Sequence, residues 1–363
     1  MKIKKVHIVN YKSIKDQIID FNKINIMIGG NGVGKTNLIS YFKLLNQIIN
    51  KNLQIYIRKG AGADNYLYFG RKTSAFIQSR IEFITSSGGL NAYSFRLEAD
   101  NNNSLFFAVE KAKFMTGNGQ WYDENLGSGH IETNLNETNY QTRVVKYVKN
   151  VLMDFRVYHF HDTSENASVK QNCQINDSLF LREDASNLAA FLFKLRKNHN
   201  NQYNLIEATI TQIAPFFDKF ILSPIADNES MVTLDWKEKG SDKYFNAHNL
   251  SDGTIRMICL VTLLLQPNPP STIIIDEPEL GLHPAAINLL AELIKSSSLN
   301  TQIIISTQSV TLLNQFTPSD VIIVDRYKGD TIFKRINDVE LSHWLDDYSL
   351  GEAWEKNIFG GRP

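Results

Sequence analysis

Residues 29–36 read Gly29-Gly30-Asn31-Gly32-Val33-Gly34-Lys35-Thr36. Their spacing fits G-x-x-x-x-G-K-[ST], the Walker A phosphate-binding loop. Glycines let successive backbone N–H groups turn inward around phosphate oxygens, and a following helix adds its positive end. The flanks agree with this. Ile24-Asn25-Ile26-Met27-Ile28 is an apolar, β-branched run, and Leu38, Ile39, Phe42, Leu45, Ile48 and Ile49 recur at helical spacing over 35–50. The order strand, loop, helix separates this stretch from the plainer alternative, a glycine-rich turn that ends in Gly-Lys-Thr. Gly29, Asn31, Gly32, Val33, Gly34, Lys35, Thr36 and Asn37 are the expected nucleotide-binding residues. Lys35 would reach the β- and γ-phosphates, and the Thr36 hydroxyl would ligate Mg²⁺.

A second apolar run, Ile273-Ile274-Ile275, ends in Asp276-Glu277-Pro278. A buried strand that presents two carboxylates at its C-terminal edge is the Walker B pattern, and ligands bind at that edge of parallel sheets. Asp276 would hold Mg²⁺ through water, and Glu277 would orient and polarise an attacking water. Leu250-Ser251-Asp252-Gly253-Thr254-Ile255-Arg256 lies upstream, with 20 positions (276 − 256) between Arg256 and Asp276. Its Ser and Gly suit an anion-facing helix start, and a plain N-cap by Ser251 is the other reading. Glu279-Leu280-Gly281-Leu282-His283-Pro284 follows the carboxylates, with His283 read as a structural residue before a helix. The run Ile303-Ile304-Ile305-Ser306-Thr307-Gln308-Ser309 is an apolar strand with a polar end.

Composition narrows the function classes. The 363 residues carry 38 Lys+Arg against 38 Asp+Glu, so a strongly basic nucleic-acid coat is excluded while a local basic groove is not. Two cysteines, Cys173 and Cys259, argue against a disulfide framework and fit a reducing compartment. No apolar run approaches the roughly 20 residues that span a bilayer, so no membrane association is expected and the localisation reads as cytoplasmic. Residues 51–150 read as an insert of short antiparallel strands (76–84, 93–98, 105–110) between Gly/Asn turns, with 116–140 as a loop or an insertion tip. Helices are expected over 141–153, 185–197, 203–217, 253–265 and 284–296, and the chain is expected to end in a helix–strand tail. The alternation of strand and helix from 250 onward predicts a parallel sheet.

In this order the motifs resemble the RecF/SMC-like ABC ATPases, in particular the AAA_21-type bacterial AAA family ATPases related to the ATPase part of OLD-family nucleases. The opening IVNYKSIKDQIIDFNKINIMIGGNGVGKTNLI, the segment Tyr158–Ser164 and the ending Leu350–Asn357 carry the likeness too. The resemblance implies an α/β fold: an ABC-type ATPase head with a RecA-like mixed/parallel β-sheet core, an N-terminal antiparallel β subdomain and a helical lobe carrying the signature motif. The expected divisions are 1–150 (N-terminal ATPase lobe with the phosphate loop and antiparallel insert), 151–250 (helical/signature lobe) and 251–363 (C-terminal ATPase lobe).

It further implies ATP and Mg²⁺ as cofactors and a homodimer closed over two ATP molecules, in which Ser251 and Gly253 contact the γ-phosphate held by the other subunit. Residues 279–284 resemble the D-loop. Relatives place a switch histidine where this chain has Gln308, which hydrogen-bonds but takes no proton, so slow, switch-like hydrolysis is expected. Lys12 either contacts the nucleotide or is a solvated lysine. His159, His161 and Asp162 have metal-ligand chemistry but read better as a packed or switch segment, the two histidines sharing one face of a strand. By resemblance the chain is a sensor ATPase of antiphage defence that controls a separate effector, a nuclease or toxin. The alternatives are a DNA-binding repair ATPase of the RecF kind, with Lys194, Arg196 and Lys197 as groove candidates, and an ABC transporter subunit, against which the 51–150 insert and Gln308 argue. The acidic residues beyond Gln308 (Asp320, Asp325, Asp330, Asp338, Asp346, Asp347) lack room for a nuclease fold.

Overall fold

The structure, a computed structural model, describes residues 2–85, 88–140, 142–336, 344 and 347–361. The acidic positions 338 and 346 and the helix position 141 lie outside them. Along the chain run β1 (Lys2–Tyr11), β2 (Ile14–Asp20), β3 (Ile24–Ile28), α1 (Lys35–Ile49), α2 (Leu53–Lys59), β4 (Phe76–Ile84), β5 (Leu90–Ala99), β6 (Leu105–Met115), β7 (Trp121–Asn125), α3 (Arg143–Met153), β8 (Phe155–Tyr158) and β9 (Cys173–Gln174). There follow α4 (Leu188–Asn198), α5 (Asn200–Ile213), β10 (Phe217–Ile221), β11 (Pro224–Ile225), β12 (Asn228–Val232), β13 (Asp235–Glu238), β14 (Tyr244–Asn246), α6 (Asp252–Leu265), β15 (Thr272–Asp276), α7 (Pro284–Ser297), β16 (Gln302–Thr307), α8 (Val310–Leu313), β17 (Val321–Tyr327), β18 (Asp330–Arg335) and α9 (Leu350–Glu355).

These elements form two compact units. The first comprises Met1–Val157, Pro270–Ile274 and Thr301–Pro363. One of its sheets is antiparallel in the order β2-β1-β4-β5-β6-β7, and the other has the order β18-β17-β3-β16-β15-β8. β3 pairs in parallel with β16 (Ile26 opposite Ile305) and with β17 (Met27 opposite Ile322), while β18 returns antiparallel to β17. Every residue of β16 is buried, as expected of a strand covered on both faces. α1 sits in the core with Leu38, Phe42, Leu45 and Ile48 fully buried, and Phe42 meets Phe155 edge to face at 6.1 Å.

The second unit comprises Tyr158–Pro269 and Ile275–Asn300. It holds two small sheets, β10-β13-β14 and β11-β12-β9, and α6 packed against α5 and α7. α6 is buried from Ile255 to Leu264, with Arg256 and Thr262 the polar residues of an otherwise apolar stretch, the mark of a core helix.

Several expectations need correction. The β-branched stretch 18–28 is shared between two strands, because Asn25 Oδ1 accepts from Asn22 N (2.8 Å) and breaks the run with a local turn. The loop read over 116–140 contains β7, whose Trp121–Asn125 pairs with Lys111–Met115, since its exposed aromatic and charged residues carry no alternation to read. α2 falls where no helix was expected. The final segment runs strand then helix, β18 before α9, the reverse of the predicted order.

Candidate functional site

The glycine loop leaves the buried C-terminal end of β3. Gly29 and Gly30 are buried, whereas Asn31 and Gly32 are exposed, and a side chain on Gly32 would meet nothing within 4 Å. Gly34 is the N-cap of α1 with φ 116°, a region L side chains avoid. No acidic residue lies in the first turn of α1, so its positive end is uncompensated. Lys35 is 5% exposed and donates from Nζ to the carbonyls of Gly29 (2.6 Å) and Gly30 (2.9 Å), which curls it along the loop. Thr36 is exposed.

The loop is braced from far along the chain. Thr331, fully buried, donates from Oγ1 to Val33 O (2.7 Å), shares a 2.6 Å hydrogen bond with Ser13 Oγ, and packs against Gly34. Asn37 donates to the same Ser13 hydroxyl at 2.6 Å. The sequence reading missed Thr331 and Ser13 because nothing local marks them. Gly34→Ala would combine left-handed strain with a methyl only 2.7 Å from Thr331 Cγ2. It is expected to lower unfolding stability by about 2–4 kcal/mol in a urea titration. A loss below about 0.5 kcal/mol would mean that the loop relaxes at no cost.

Lys12 is half-buried in this structure. Its ammonium donates to Ser40 Oγ (2.7 Å), a turn further down α1, and lies 5.4 Å from the Tyr66 ring centroid. Burial, with Lys43 nearby, holds its pKa below the usual lysine value.

The remaining motif residues belong to the second unit, apart from Gln308, which follows β16 in the first and is half-buried. Asp276 and Glu277, at the end of β15, are both half-buried. Glu277 has φ 41°, a left-handed conformation that is uncommon for a non-glycine residue and concentrates at functional positions. Ser251 caps α6, accepting from Thr254 N (3.2 Å), and stays exposed together with Asp252. Gly253 is half-buried, and a Cβ there would stand 2.6 Å from Gly281 O. Its lack of a side chain is therefore required by close packing within its own chain, a reason the sequence reading did not foresee.

His161 is not strand-borne, since β8 ends at Tyr158. Its Nε2 donates to Asp276 O at 2.9 Å. Asp162 accepts from Ser164, and the backbone N–H of His159 donates to Glu183 O. Among the described residues no group of three or more His, Cys, Asp or Glu is placed to hold a metal. His283 caps α7, its Nδ1 accepting from Ala285 N, as the structural reading had it. Of the late acidic residues, Asp320, Asp325 and Asp330 accept from Thr317, Gly361 and Tyr68 respectively. Among the described residues no helix is long and apolar enough to cross a membrane.

Residues 24–314 match the family model of AAA_21, described as "AAA domain, putative AbiEii toxin, Type IV TA system". The chain belongs to the AAA_21 family. Its fold is that of an ABC-type ATPase head. It is similar to the SmcHead crystallised with the C-winged helix domain of ScpA (TM-score 0.60, 14% identity, covering 98% of this chain and all of that one). It is likewise similar to the Smc head domain with an extended coiled coil bound to the C-terminal domain of ScpA, from Pyrococcus furiosus (TM-score 0.57, 14% identity, 95% and 98% covered). A curated relative, the DNA replication and repair protein RecF of Parabacteroides distasonis, is 34% identical over 92 residues, which covers 22% of this chain. The chain spans about a quarter of that relative's length. The family match, the RecF similarity and the Smc-head fold together support an ABC/SMC/RecF-like ATPase.

Proposed function

We propose that the protein binds and hydrolyses ATP as a slow switch in the cytoplasm, working as a head-to-tail homodimer that controls a separate nuclease or toxin in antiphage defence. The observation that carries the reading is the phosphate cradle. Buried glycines open onto a helix end bare of acidic residues, with Lys35 already in the loop. The exposed Thr36 hydroxyl and the Asp276 carboxylate are each hard oxygens of the kind Mg²⁺ takes, and they are the ligands proposed for it. When bound, the ion would neutralise phosphate charge. Lys35 and the loop N–H groups would hold the triphosphate, Glu277 would orient the attacking water, and Gln308 would hydrogen-bond that water or the γ-phosphate. Ser251 and Gly253 would present the start of α6 to the nucleotide of a second copy, an arrangement consistent with the exposure of Ser251. The lobes 1–150, 151–250 and 251–363 are the proposed functional divisions. The toxin–antitoxin wording of the family description supports an effector partner.

If each site is completed by a second subunit, specific ATPase activity rises with protein concentration below the dimer dissociation constant. Constant specific activity of a monomer across a roughly hundredfold dilution would remove the dimer from the reading.

The RecF similarity favours a second reading, direct DNA binding. Its groove candidates are poorly supplied: Arg196 donates to Leu222 O at 2.5 Å and Lys197 lies over the Phe193 ring at 4.3 Å. Salt-dependent binding of the ATP-bound protein to duplex DNA separates the two readings.

A further inference from the structure

Arg256 stands out among the buried polar groups of the second unit. It occupies the second turn of α6, is 5% exposed, and meets three backbone carbonyls. Nε donates to Phe160 O (2.8 Å), Nη2 to His161 O (3.2 Å), and Nη1 to Leu280 O. Burial lowers its pKa from the usual arginine value, against a smaller opposing pull from Asp252. A buried guanidinium costs free energy, and neutral carbonyls offset that cost less well than a carboxylate would. The planar fork suits partners held at several angles, which a lysine ammonium does not reproduce.

The three carbonyls belong to two segments that matter to the site. Leu280 lies in the turn after Asp276-Glu277, and Gly281 beside it approaches both Gly253 and Arg256. A Cβ on Gly281 would stand 2.7 Å from Arg256 Nη1. The 160–161 segment carries His161, whose imidazole donates to Asp276 O. One side chain therefore ties the start of α6 to the backbone around both carboxylates.

Resting on the ATPase reading above, we infer that Arg256 is a positioning residue that couples the Ser251–Gly253 lid to the Asp276-Glu277 pair. The lid of one protomer faces its partner's nucleotide, whereas the carboxylates serve the protomer's own. Seating of the lid is transmitted through the guanidinium to the Leu280 turn and, by His161, to Asp276. The two composite sites therefore fire together, although Arg256 touches no substrate.

The test uses the full chain and MgATP. Arg256→Lys keeps the charge and loses the fork. Gly281→Ala keeps the arginine and pushes a methyl against it. Both variants are expected to bind a fluorescent ATP analogue with a Kd within threefold of the parent. Both are expected to lose at least tenfold in kcat and to show a Hill coefficient that falls to 1. Wild-type-like kcat and cooperativity in either folded variant overturns the inference. So does a loss of nucleotide binding in step with turnover, because a merely structural arginine behaves that way. A parent protein that binds no ATP defeats the ATPase reading itself, whereas a parent that turns ATP over beside fully active variants defeats only the role of Arg256.

Discussion

Lys35→Ala is expected to weaken MgATP binding by at least about 100-fold, because charge-assisted hydrogen bonds to phosphate contribute roughly 1.5–3 kcal/mol each and every 1.4 kcal/mol is a factor of ten. The ammonium already lies in the loop, 2.6 Å from Gly29 O, so binding needs only a swing from carbonyls to phosphate and no refolding. The same substitution leaves the Gly29 and Gly30 carbonyls without their lysine donor, which costs about 1 kcal/mol of stability or more. Equilibrium titration with a fluorescent ATP analogue and a thermal melt of the same sample separate the two effects. Binding within threefold of the parent by a folded variant would remove Lys35 from the site.

Glu277→Gln is expected to lower kcat by about 10²–10⁴, the usual range for loss of a general base, with the Kd for ATP nearly unchanged. The amide preserves size and hydrogen bonding but cannot draw a proton from water. A dimer that forms on ATP and dissolves on hydrolysis should therefore accumulate. Light scattering of the variant is expected to report twice the parent mass in MgATP and a monomer in buffer alone. Glu277→Gly is the sharper companion. It relieves the φ of 41° and is expected to stabilise the turn by a few tenths to about 1 kcal/mol while abolishing turnover, which would show that the strain is kept for the carboxylate. Parent-like turnover by Glu277→Gln would assign the water-orienting role to another group.

What was legible in the chain was what is encoded locally. The phosphate loop could be read because its backbone demands glycine at set positions and a helix directly after it. β15 and β16 could be read because strands covered on both faces carry unbroken apolar runs. α6 and α7 were placed to within a residue or two because helical spacing and their caps at Ser251 and His283 agree. β7 and α2 escaped because they are short and only weakly patterned. Lys12 shows the limit for single side chains: its type left nucleotide contact and solvation both open, and its hydrogen bond to Ser40 could be read from neither.

The sequence by itself determined that a phosphate loop, a capped glycine-bearing helix and a carboxylate strand exist in this order, since φ/ψ preference and periodicity act over a few neighbours. Only the tertiary structure decided that Thr331 and Ser13 brace that loop, that Gly253 is small for the sake of Gly281, and that Arg256 clamps carbonyls some 95 and 24 positions away. Those partners meet through long loop closure, and an apolar or polar pattern carries no record of which distant backbone atom a side chain will find.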